Sequence, residues 1–300
     1  MKKYLPEILL MVTALIWGIT FVIIKSALND ISPFFFISLR FLFSTIFLLP
    51  FVFKIFKGIN KQTIKGGLVL GLLYFLSFST QTLGLKYTTA TRSAFITGTF
   101  VMFIPLFQIL IVKRYPTKHV VAGVLLTLIG LFFLTSKNES LFNIFTEINE
   151  NFNIGDLLTV GCAIAYALYV IYLDIISKKS DYKPLVFLQI SLTGVCGILF
   201  TFIFEISGIE DLKFNFNYDL LLALLYTSVF ATVIAATLQT KYQKFVTPSI
   251  AGIILSFEPI FAALFAFFML NEKISNFGLI GCLLIFCGLI ISEIYKKKNG

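Results

Sequence analysis

Charged residues are scarce in this chain of 300 residues: Asp, Glu, Lys and Arg make up 13% of it, whereas hydrophobic residues make up 58%. Soluble domains are about a quarter charged, so this composition excludes an ordinary soluble protein. The sequence also lacks a GxxxxGK[ST] nucleotide-binding loop. That absence argues against a self-contained ATP-driven pump.

Residues that commonly carry catalysis are few as well. The sequence has one His and no HExxH, GxSxG or Asp-rich motif, whereas an active site should bring several Asp, Glu, His, Ser or Cys groups together. Its four Cys are single residues without CxxC spacing, so we expect neither a disulfide nor a metal site. We predict that the protein is not an enzyme and uses no cofactor. A membrane enzyme and a passive channel are the alternatives from other functional classes.

Long apolar runs take the place of the missing charge. Each run has about 17–24 residues, which is enough to cross roughly 30 Å of hydrocarbon as a helix, and the segments between the runs are short. They predict an all-α integral membrane protein with ten transmembrane helices. In chain order, these predicted spans 1 to 10 cover residues 6–27, 33–53, 64–85, 91–112, 120–136, 154–177, 184–206, 218–240, 248–270 and 274–295.

The sequence repeats part of itself 158 positions later. Each half of the chain contains five spans, an odd number, so the second half enters the membrane from the other side. Inverted repeats of this kind are typical of alternating-access transporters. We predict a first five-helix repeat at 1–137, an outer connecting loop at 138–153 and a second, inverted repeat at 154–300. The matched residues include Gln81 with Gln239, Lys86 with Lys244, Thr89 with Thr247, Gly123 with Gly281, and Gly130 with Gly288.

The net charge of +9 does not require a nucleic-acid partner, because of where the basic residues lie. If the N-terminus is inside, the inner segments carry seventeen of the twenty-four Lys and Arg. The positive-inside rule then predicts both termini in the cytoplasm and places the chain in an inner or plasma membrane, with the lipid bilayer as its partner. The outer segments carry six basic residues: Lys25, Lys86, Arg92, Lys137, Lys213 and Lys273.

Two formal charges lie well inside predicted spans, Arg40 in span 2 and Glu258 in span 9. Their depths in the membrane differ by about 5 Å if both spans are helical, so a salt bridge between them is one hypothesis. Alternatively, Glu258 could carry protons or receive a cationic group of the substrate, and Arg40 could have a fixed structural role.

Pro105 and Pro259 interrupt spans 4 and 9 at corresponding places. Each proline removes a backbone donor, and such breaks persist in a membrane where other groups or cavity water satisfy the backbone. Because Glu258 directly precedes Pro259, we interpret the two prolines as helix hinges along a transport pathway. A tolerated kink is the alternative.

Aromatic and amide side chains supply further candidates for a binding cavity. Trp17 aligns with Tyr166 when span 1 is laid on span 6, and both rings lie in mid-helix, away from the interfacial belts where such residues usually collect. Bundle packing is the alternative use of these rings. Gln81 and Gln239 lie toward opposite mouths, as paired gates would require. The predicted cavity residues are Trp17, Tyr74, Gln81, Thr97, Tyr166, Tyr169, Gln239 and Glu258.

The repeated glycines of spans 5 and 10 predict close helix packing. Gly123 and Gly130 lie seven residues apart, on one face of span 5, and Gly281 and Gly288 do the same on span 10. Small residues on one face allow two membrane helices to approach closely. We expect spans 5 and 10 to be packing elements, with a homodimer surface as one possible use.

Several segments together resemble a known family. They are ALIWGIT at 14–20, LRFL at 39–42, SAFITGTFVMFIPLF at 93–107 and FEPIFAA at 257–263. The chain resembles the drug/metabolite transporter superfamily over essentially its whole length, in particular the EamA-type permeases. The resemblance implies a central cavity lined by helices 1, 3, 4, 6, 8 and 9. It implies no particular substrate, since such proteins handle amino acids, sugars, nucleotide precursors, vitamins and toxic amphiphiles.

These observations lead to one functional prediction. The protein is expected to be a secondary carrier that moves a small organic metabolite by alternating access, with protons as a candidate coupling ion. Export of an amino acid or related metabolite is the first choice of function. Uptake of a vitamin such as riboflavin is the second, because aromatic rings in mid-membrane suit either substrate.

Overall fold

The computed structural model describes residues 4–52, 59–134, 153–271 and 276–294. Apart from one isolated bridge between Ile31 and Phe214, this part of the chain contains no β-structure. Eight helices are long and apolar enough to cross a membrane, and two shorter apolar helices complete the ten that the sequence predicts. In chain order they are α1 (Leu5–Ala27), α2 (Pro33–Val52), α3 (Lys61–Tyr87), α4 (Ala90–Val112), α5 (Lys118–Leu134), α6 (Ile154–Ser177), α7 (Tyr182–Ile206), α8 (Tyr218–Phe245), α9 (Pro248–Leu270) and α10 (Asn276–Ile294).

The predicted fold class is confirmed: the protein is an all-α integral membrane protein whose ten helices form two inverted five-helix repeats. The helices of the two halves interleave. Helix α1 contacts α8 and α9, and its counterpart α6 contacts α3 and α4, as a twofold relation between the halves requires. The predicted connecting loop 138–153 lies outside the described residues except for Asn153, as do Lys137 and Lys273.

The repeated threonines begin corresponding helices in the two halves. The hydroxyl of Thr89 accepts a hydrogen bond from the backbone N–H of Arg92 at the start of α4. The hydroxyl of Thr247 does the same for Ile250 at the start of α9. Such N-caps satisfy one of the backbone donors that a helix start leaves free, so one sequence pattern produces the same local structure twice.

Both α4 and α9 are broken inside the membrane. Helix α4 consists of the segments Ala90–Gly98 and Phe100–Phe107 and a π-helical turn, Gln108–Val112. Helix α9 consists of Pro248–Leu255 and Glu258–Leu270.

The two prolines lie at different positions relative to these breaks. Pro259 occupies the first turn of the second α9 segment, where a missing N–H donor costs nothing. Pro105 lies within a segment of α4, six residues after the break at Thr99. Its role as a hinge stays a prediction.

The repeated glycines join α5 to α10 within the chain. A β-carbon on Gly130 would lie 2.7 Å from the carbonyl oxygen of Gly281, and one on Gly288 would lie 2.7 Å from that of Gly123. Real β-carbons do not approach a backbone oxygen so closely, so glycine is needed at both places. The glycine faces of α5 and α10 therefore contact each other within one chain, so they are not available as a homodimer surface.

Candidate functional site

A small cavity lies in the middle of the bundle, between α1, α3, α4, α6 and the break of α9. Its volume is about 20 Å³, which holds roughly one water molecule. An organic substrate can therefore enter only when the surrounding helices move apart. The residues that line the cavity are Trp17, Thr20, Ser77, Phe78, Gln81, Thr97, Cys162, Tyr166 and Glu258.

Five of the eight predicted cavity residues line this cavity: Trp17, Gln81, Thr97, Tyr166 and Glu258. The lining residues that we did not predict are Thr20, Ser77, Phe78 and Cys162. A helical spacing of three or four residues from Trp17, Gln81 or Tyr166 reaches each of these four. That periodicity is the signal that could have identified them.

Glu258 is the first residue of the second α9 segment and is only 6% exposed. Within the described residues its carboxylate has no hydrogen-bond or ion-pair partner. A helix N-terminus carries a partial positive charge, so the broken helix offers the carboxylate some stabilisation from its own backbone. The site therefore holds an acceptor group that faces the cavity and has no partner among the described side chains.

Two glycines allow the neighbouring helices to approach this break. A β-carbon on Gly18 of α1 would lie 2.5 Å from Cβ of Phe261 and 3.0 Å from the carbonyl oxygen of Glu258. A β-carbon on Gly98 of α4 would lie 2.8 Å from Cγ of Pro259. The position of Glu258 between α1 and α4 thus depends on two residues without side chains.

Aromatic rings form one wall of the cavity and continue behind it. Trp17 and Tyr166 meet edge to face with ring centroids 5.9 Å apart, and the indole N–H of Trp17 donates to the carbonyl of Ala231 at 2.7 Å. Behind them, Tyr169 stacks on Tyr166 at 5.7 Å and lies 5.0 Å from Tyr74. Tyr74 and Tyr169 are therefore second-layer residues and do not line the cavity in this conformation.

Gln239 also lies behind the cavity wall. Its amide donates to the hydroxyl of Tyr166 at 2.8 Å and to the side-chain oxygen of Gln243 at 2.9 Å. Gln243 in turn donates to the carbonyl of Val170 at 2.7 Å. Gln239 is fully buried behind Tyr166, so it does not line the cavity. Helix α8 contacts the cavity wall through its hydrogen bonds to Tyr166 and to Trp17.

The hypothesis of a salt bridge between Arg40 and Glu258 is wrong, because neither residue forms an ion pair within the described part of the chain. Arg40 donates from Nε to the hydroxyl of Thr232 on α8 at 2.8 Å. Its guanidinium lies 4.7 Å from the ring centroid of Phe78, and Phe78 lines the cavity that holds Glu258. The two charges have similar depths along their helices, but Arg40 faces α8 and an aromatic ring separates it from the cavity.

The chemistry of the cavity suits binding. It combines one carboxylate, one amide, hydroxyls from Thr20, Ser77 and Thr97, and two large aromatic rings. Pockets with apolar walls and a few placed polar groups are typical of small-molecule sites. Among the described residues no three His, Cys, Asp or Glu side chains lie close enough together to hold a metal ion.

Comparisons with known proteins agree with this architecture. The model of the EamA-like transporter family matches residues 5–136 and 153–293. A protein of Archaeoglobus fulgidus named "Uncharacterized transporter" is 35% identical over 290 residues, which cover 97% of this chain and 86% of that protein. "Uncharacterized transporter YoaV" of Bacillus subtilis is 24% identical, and the match covers 93% of each chain.

A solved structure described as "Crystal structure of protein" has the same fold, with a TM-score of 0.74 at 15% identity; the match covers 98% of this chain and 99% of the other. The family match spans both halves of the chain, and the named relatives are transporters, which makes an enzyme unlikely. The chain therefore belongs to the EamA-like transporter family, as a multi-pass membrane protein whose family implies a small-molecule substrate.

Proposed function

We propose that this transporter is a secondary carrier that exports an amino acid or a related metabolite across the inner or plasma membrane by alternating access. The observation that carries the proposal is the carboxylate of Glu258, which has no partner among the described residues and lines a small cavity at the break of α9. Broken helices at the interface of inverted repeats are the usual location of substrate and ion sites in such carriers.

Glu258 has a direct role in this proposal. Its carboxylate alternately receives a proton or the ammonium group of the substrate, so binding and coupling compete for one acceptor. A buried carboxylate that has no fixed partner is suited to this exchange, because no structural ion pair has to break first. Trp17 and Tyr166 provide apolar walls, and Gln81 and Thr97 provide neutral hydrogen-bonding groups at the side of the cavity.

The small size of the cavity favours a carrier over a passive channel. A channel needs a continuous polar path, whereas this cavity has room for about one water molecule and is lined in part by aromatic side chains. In the proposed cycle the repeats 1–137 and 154–300 rock against each other, with Pro105 and Pro259 as hinges. Tyr74, Tyr169 and Gln239 would join the cavity as it opens.

We further propose that both termini face the cytoplasm, so that the loop 138–153 lies outside. The distribution of basic residues supports this orientation. It can be checked by accessibility labelling of single cysteines placed in the connecting segments of a cysteine-free variant.

Vitamin uptake, with riboflavin as the example, is the second candidate. The stacked rings of Tyr166 and Tyr169, with Tyr74 beyond them, favour a flat aromatic ligand. Riboflavin is therefore included beside the amino acids in the test.

The test uses purified protein in proteoliposomes preloaded with each of the twenty amino acids or with riboflavin. We expect saturable counterflow of at least one amino acid, and stimulation of that flux by an imposed proton gradient. Glu258→Gln should abolish the response to the gradient while leaving the protein folded. Glu205→Gln, which alters an exposed carboxylate on α7, is the matched control and should respond like the wild type. Proton-driven flux that Glu258→Gln leaves unchanged would exclude Glu258 as the coupling group.

A further inference from the structure

Arg40 is a buried cation whose guanidinium is only partly hydrogen-bonded. Its side chain is 1% exposed, and its Nη2 atom has no hydrogen-bond partner within residues 4–52, 59–134, 153–271 and 276–294. No carboxylate of the described residues forms an ion pair with it. An unpaired charge inside a membrane is expensive and usually marks a binding or conduction function, so the free end of this guanidinium requires an explanation.

The other end of the guanidinium is held in place. Nε donates to Thr232, and the Thr232 hydroxyl donates to the carbonyl of Thr227 at 2.8 Å within the π-helical segment Thr227–Ile234 of α8. The hydroxyl of Ser44 joins α2 to this segment by donating to the carbonyls of Arg40 and Ser228 at 2.7 and 3.0 Å. π-Helical segments often occur at functional sites. The guanidinium is thus oriented before any ligand arrives.

A second polar group beside Arg40 is also unpartnered. The Tyr74 side chain is fully buried, and its hydroxyl has no hydrogen-bond partner in the part of the chain that the structure describes. Tyr74 and Arg40 pack on the same two rings. The ring centroid of Phe41 lies 5.8 Å from that of Tyr74 and 5.2 Å from the guanidinium carbon of Arg40, and both groups also contact Phe78. Arg40 Nη2 and the Tyr74 hydroxyl are therefore two neighbouring donors that lack an acceptor.

One aromatic ring separates these donors from the cavity. Phe78 lines the cavity with Glu258, and the Arg40 guanidinium lies over its ring at 4.7 Å. The Tyr74 ring lies 4.6 Å from the same ring. Phe78 thus lies between the two donors and the cavity that holds Glu258, so a ligand that displaces this ring could reach both the cation and the carboxylate.

We propose that Arg40 and Tyr74 form an anion subsite that receives the carboxylate of the substrate, while Glu258 receives its ammonium group. The inference rests on the transport function proposed above and narrows the substrate class to zwitterions, the free α-amino acids. A guanidinium and a phenol donate hydrogen bonds to one carboxylate in a common geometry. The bound carboxylate would also supply the counter-charge that Arg40 lacks.

The competing explanation is a purely structural cation. Arg40 also lies over the Phe41 ring at 5.2 Å, and cation–π contacts with two rings offset part of the burial cost. In that case the carboxylate of a ligand would contribute nothing to its binding. The two explanations therefore differ in how much the carboxylate of a ligand contributes to its affinity, which can be measured on the wild-type protein.

The first experiment uses wild-type protein in detergent and the fluorescence of Trp17, the only tryptophan, which lines the cavity. The probes are L-phenylalanine and L-leucine, and phenethylamine and isoamylamine, which have the same side chains and ammonium group but no carboxylate. We expect each amino acid to bind at least tenfold more tightly than its amine. Equal affinity of acid and amine, or no fluorescence response to any probe, would overturn the anion subsite.

The second experiment compares Arg40→Met and Arg40→Lys with the wild type, after size-exclusion chromatography and circular dichroism have shown that they fold. Arg40→Met should weaken amino-acid binding at least tenfold and change amine binding less than twofold, so that the preference disappears. Arg40→Lys should retain part of the preference, because it keeps the charge but not the paired donors. Equal losses for acids and amines would assign Arg40 a structural role; if neither variant folds, the wild-type comparison still decides.

The two proposals fail in different ways. Absence of saturable counterflow of any compound in proteoliposomes would contradict the carrier function itself. Saturable transport of amino acids whose binding does not depend on the carboxylate would leave the carrier intact and exclude the subsite.

Discussion

Gln81 and Gln239 occupy equivalent positions in the two repeats, but their environments in the structure differ. Gln81 faces the cavity and makes one bond of 3.2 Å to the hydroxyl of Thr97. Gln239 is fully buried and makes two shorter bonds, to Tyr166 and Gln243. One of the two equivalent glutamines thus lines a cavity, whereas the other is buried in a hydrogen-bond network. The difference shows that the cavity is displaced toward the Gln81 side of the bundle, whereas the Gln239 side is closed by packing and amide hydrogen bonds.

The two ends of the bundle are also closed by different chemistry. The N-terminal end is the one that contains residue 4, and the amide network of Gln239 lies in that half. At the opposite end, Arg92 pairs with the fully buried carboxylate of Asp156 at 2.9 Å, and the hydroxyl of Thr88 donates to the same carboxylate at 2.8 Å. Buried ion pairs lose their desolvation cost when water enters, so this closure is suited to opening.

The largest effect is expected when the buried ion pair is broken. Arg92→Met leaves Asp156 buried, with Thr88 and the N–H of Asn153 as its remaining hydrogen-bond partners among the described residues. Removing one member of a fully buried pair costs about 3–5 kcal/mol, and we expect a smaller loss here because the Arg92 side chain is 26% exposed. Thermal unfolding in detergent should show a clear fall in midpoint. The double variant with Asp156→Asn should recover part of it.

The matched control for that variant lies at the other end. Lys178 pairs with Asp174 in an i, i+4 arrangement at 2.7 Å, in which 46% of the Lys178 side chain but only 10% of the Asp174 side chain is exposed. Because the lysine is half exposed and water can replace it, we expect the pair to contribute no more than about 1 kcal/mol. Lys178→Met should therefore unfold close to the wild-type temperature. If Arg92→Met and Lys178→Met have equal effects, the two ends do not differ as described.

An intermediate effect is expected from the two glutamines. Gln239→Leu removes the donor to Tyr166 and Gln243, and each unsatisfied buried group costs about 1–3 kcal/mol. Gln81→Leu removes one longer bond beside a cavity, so it should cost less than about 1 kcal/mol and should act mainly on ligand affinity. Parallel unfolding and Trp17 fluorescence titrations separate the two effects. A greater loss of stability in Gln81→Leu would reverse the comparison.

The smallest effect is expected from the repeated lysines. Lys86 pairs with Glu210 at 2.5 Å but its side chain is 41% exposed, whereas Lys244 lies over the ring of Phe245. Exposed pairs contribute about 0–1 kcal/mol and are screened by salt. Lys86→Met should shift unfolding slightly at low salt and not at high salt, while Lys244→Met should show no salt dependence. A large shift in the unfolding of either variant would contradict this prediction and would indicate that the lysine has a role, such as gating, beyond an exposed contact.

The positions of the spanning helices could be predicted from the sequence, and so could some residues of the candidate site. Apolar runs determine where helices span, because each unpaired backbone group in lipid is costly, and Glu258 next to Pro259 marked the break of α9. Trp17 and Tyr166, which we predicted as cavity residues from their mid-helix positions, both line the small cavity, and their rings meet edge to face. Thr20, Ser77, Phe78 and Cys162 were missed, because residues of these types are common in membrane helices and mark a site only when their spacing of three or four residues from Trp17, Gln81 or Tyr166 is considered.

The sequence by itself determined the class of protein, the ten helices, the inverted repeat and the depth of each charge, since depth follows from the fixed rise of a helix per residue. Only the tertiary structure decided which way each side chain faces. Arg40 and Glu258 have similar depths, but the packing of α2 against α8 turns Arg40 toward Thr232 and places Phe78 between the two charges. Rotation about a helix axis is set by its neighbours, and it separates two charges that the sequence alone allowed to meet.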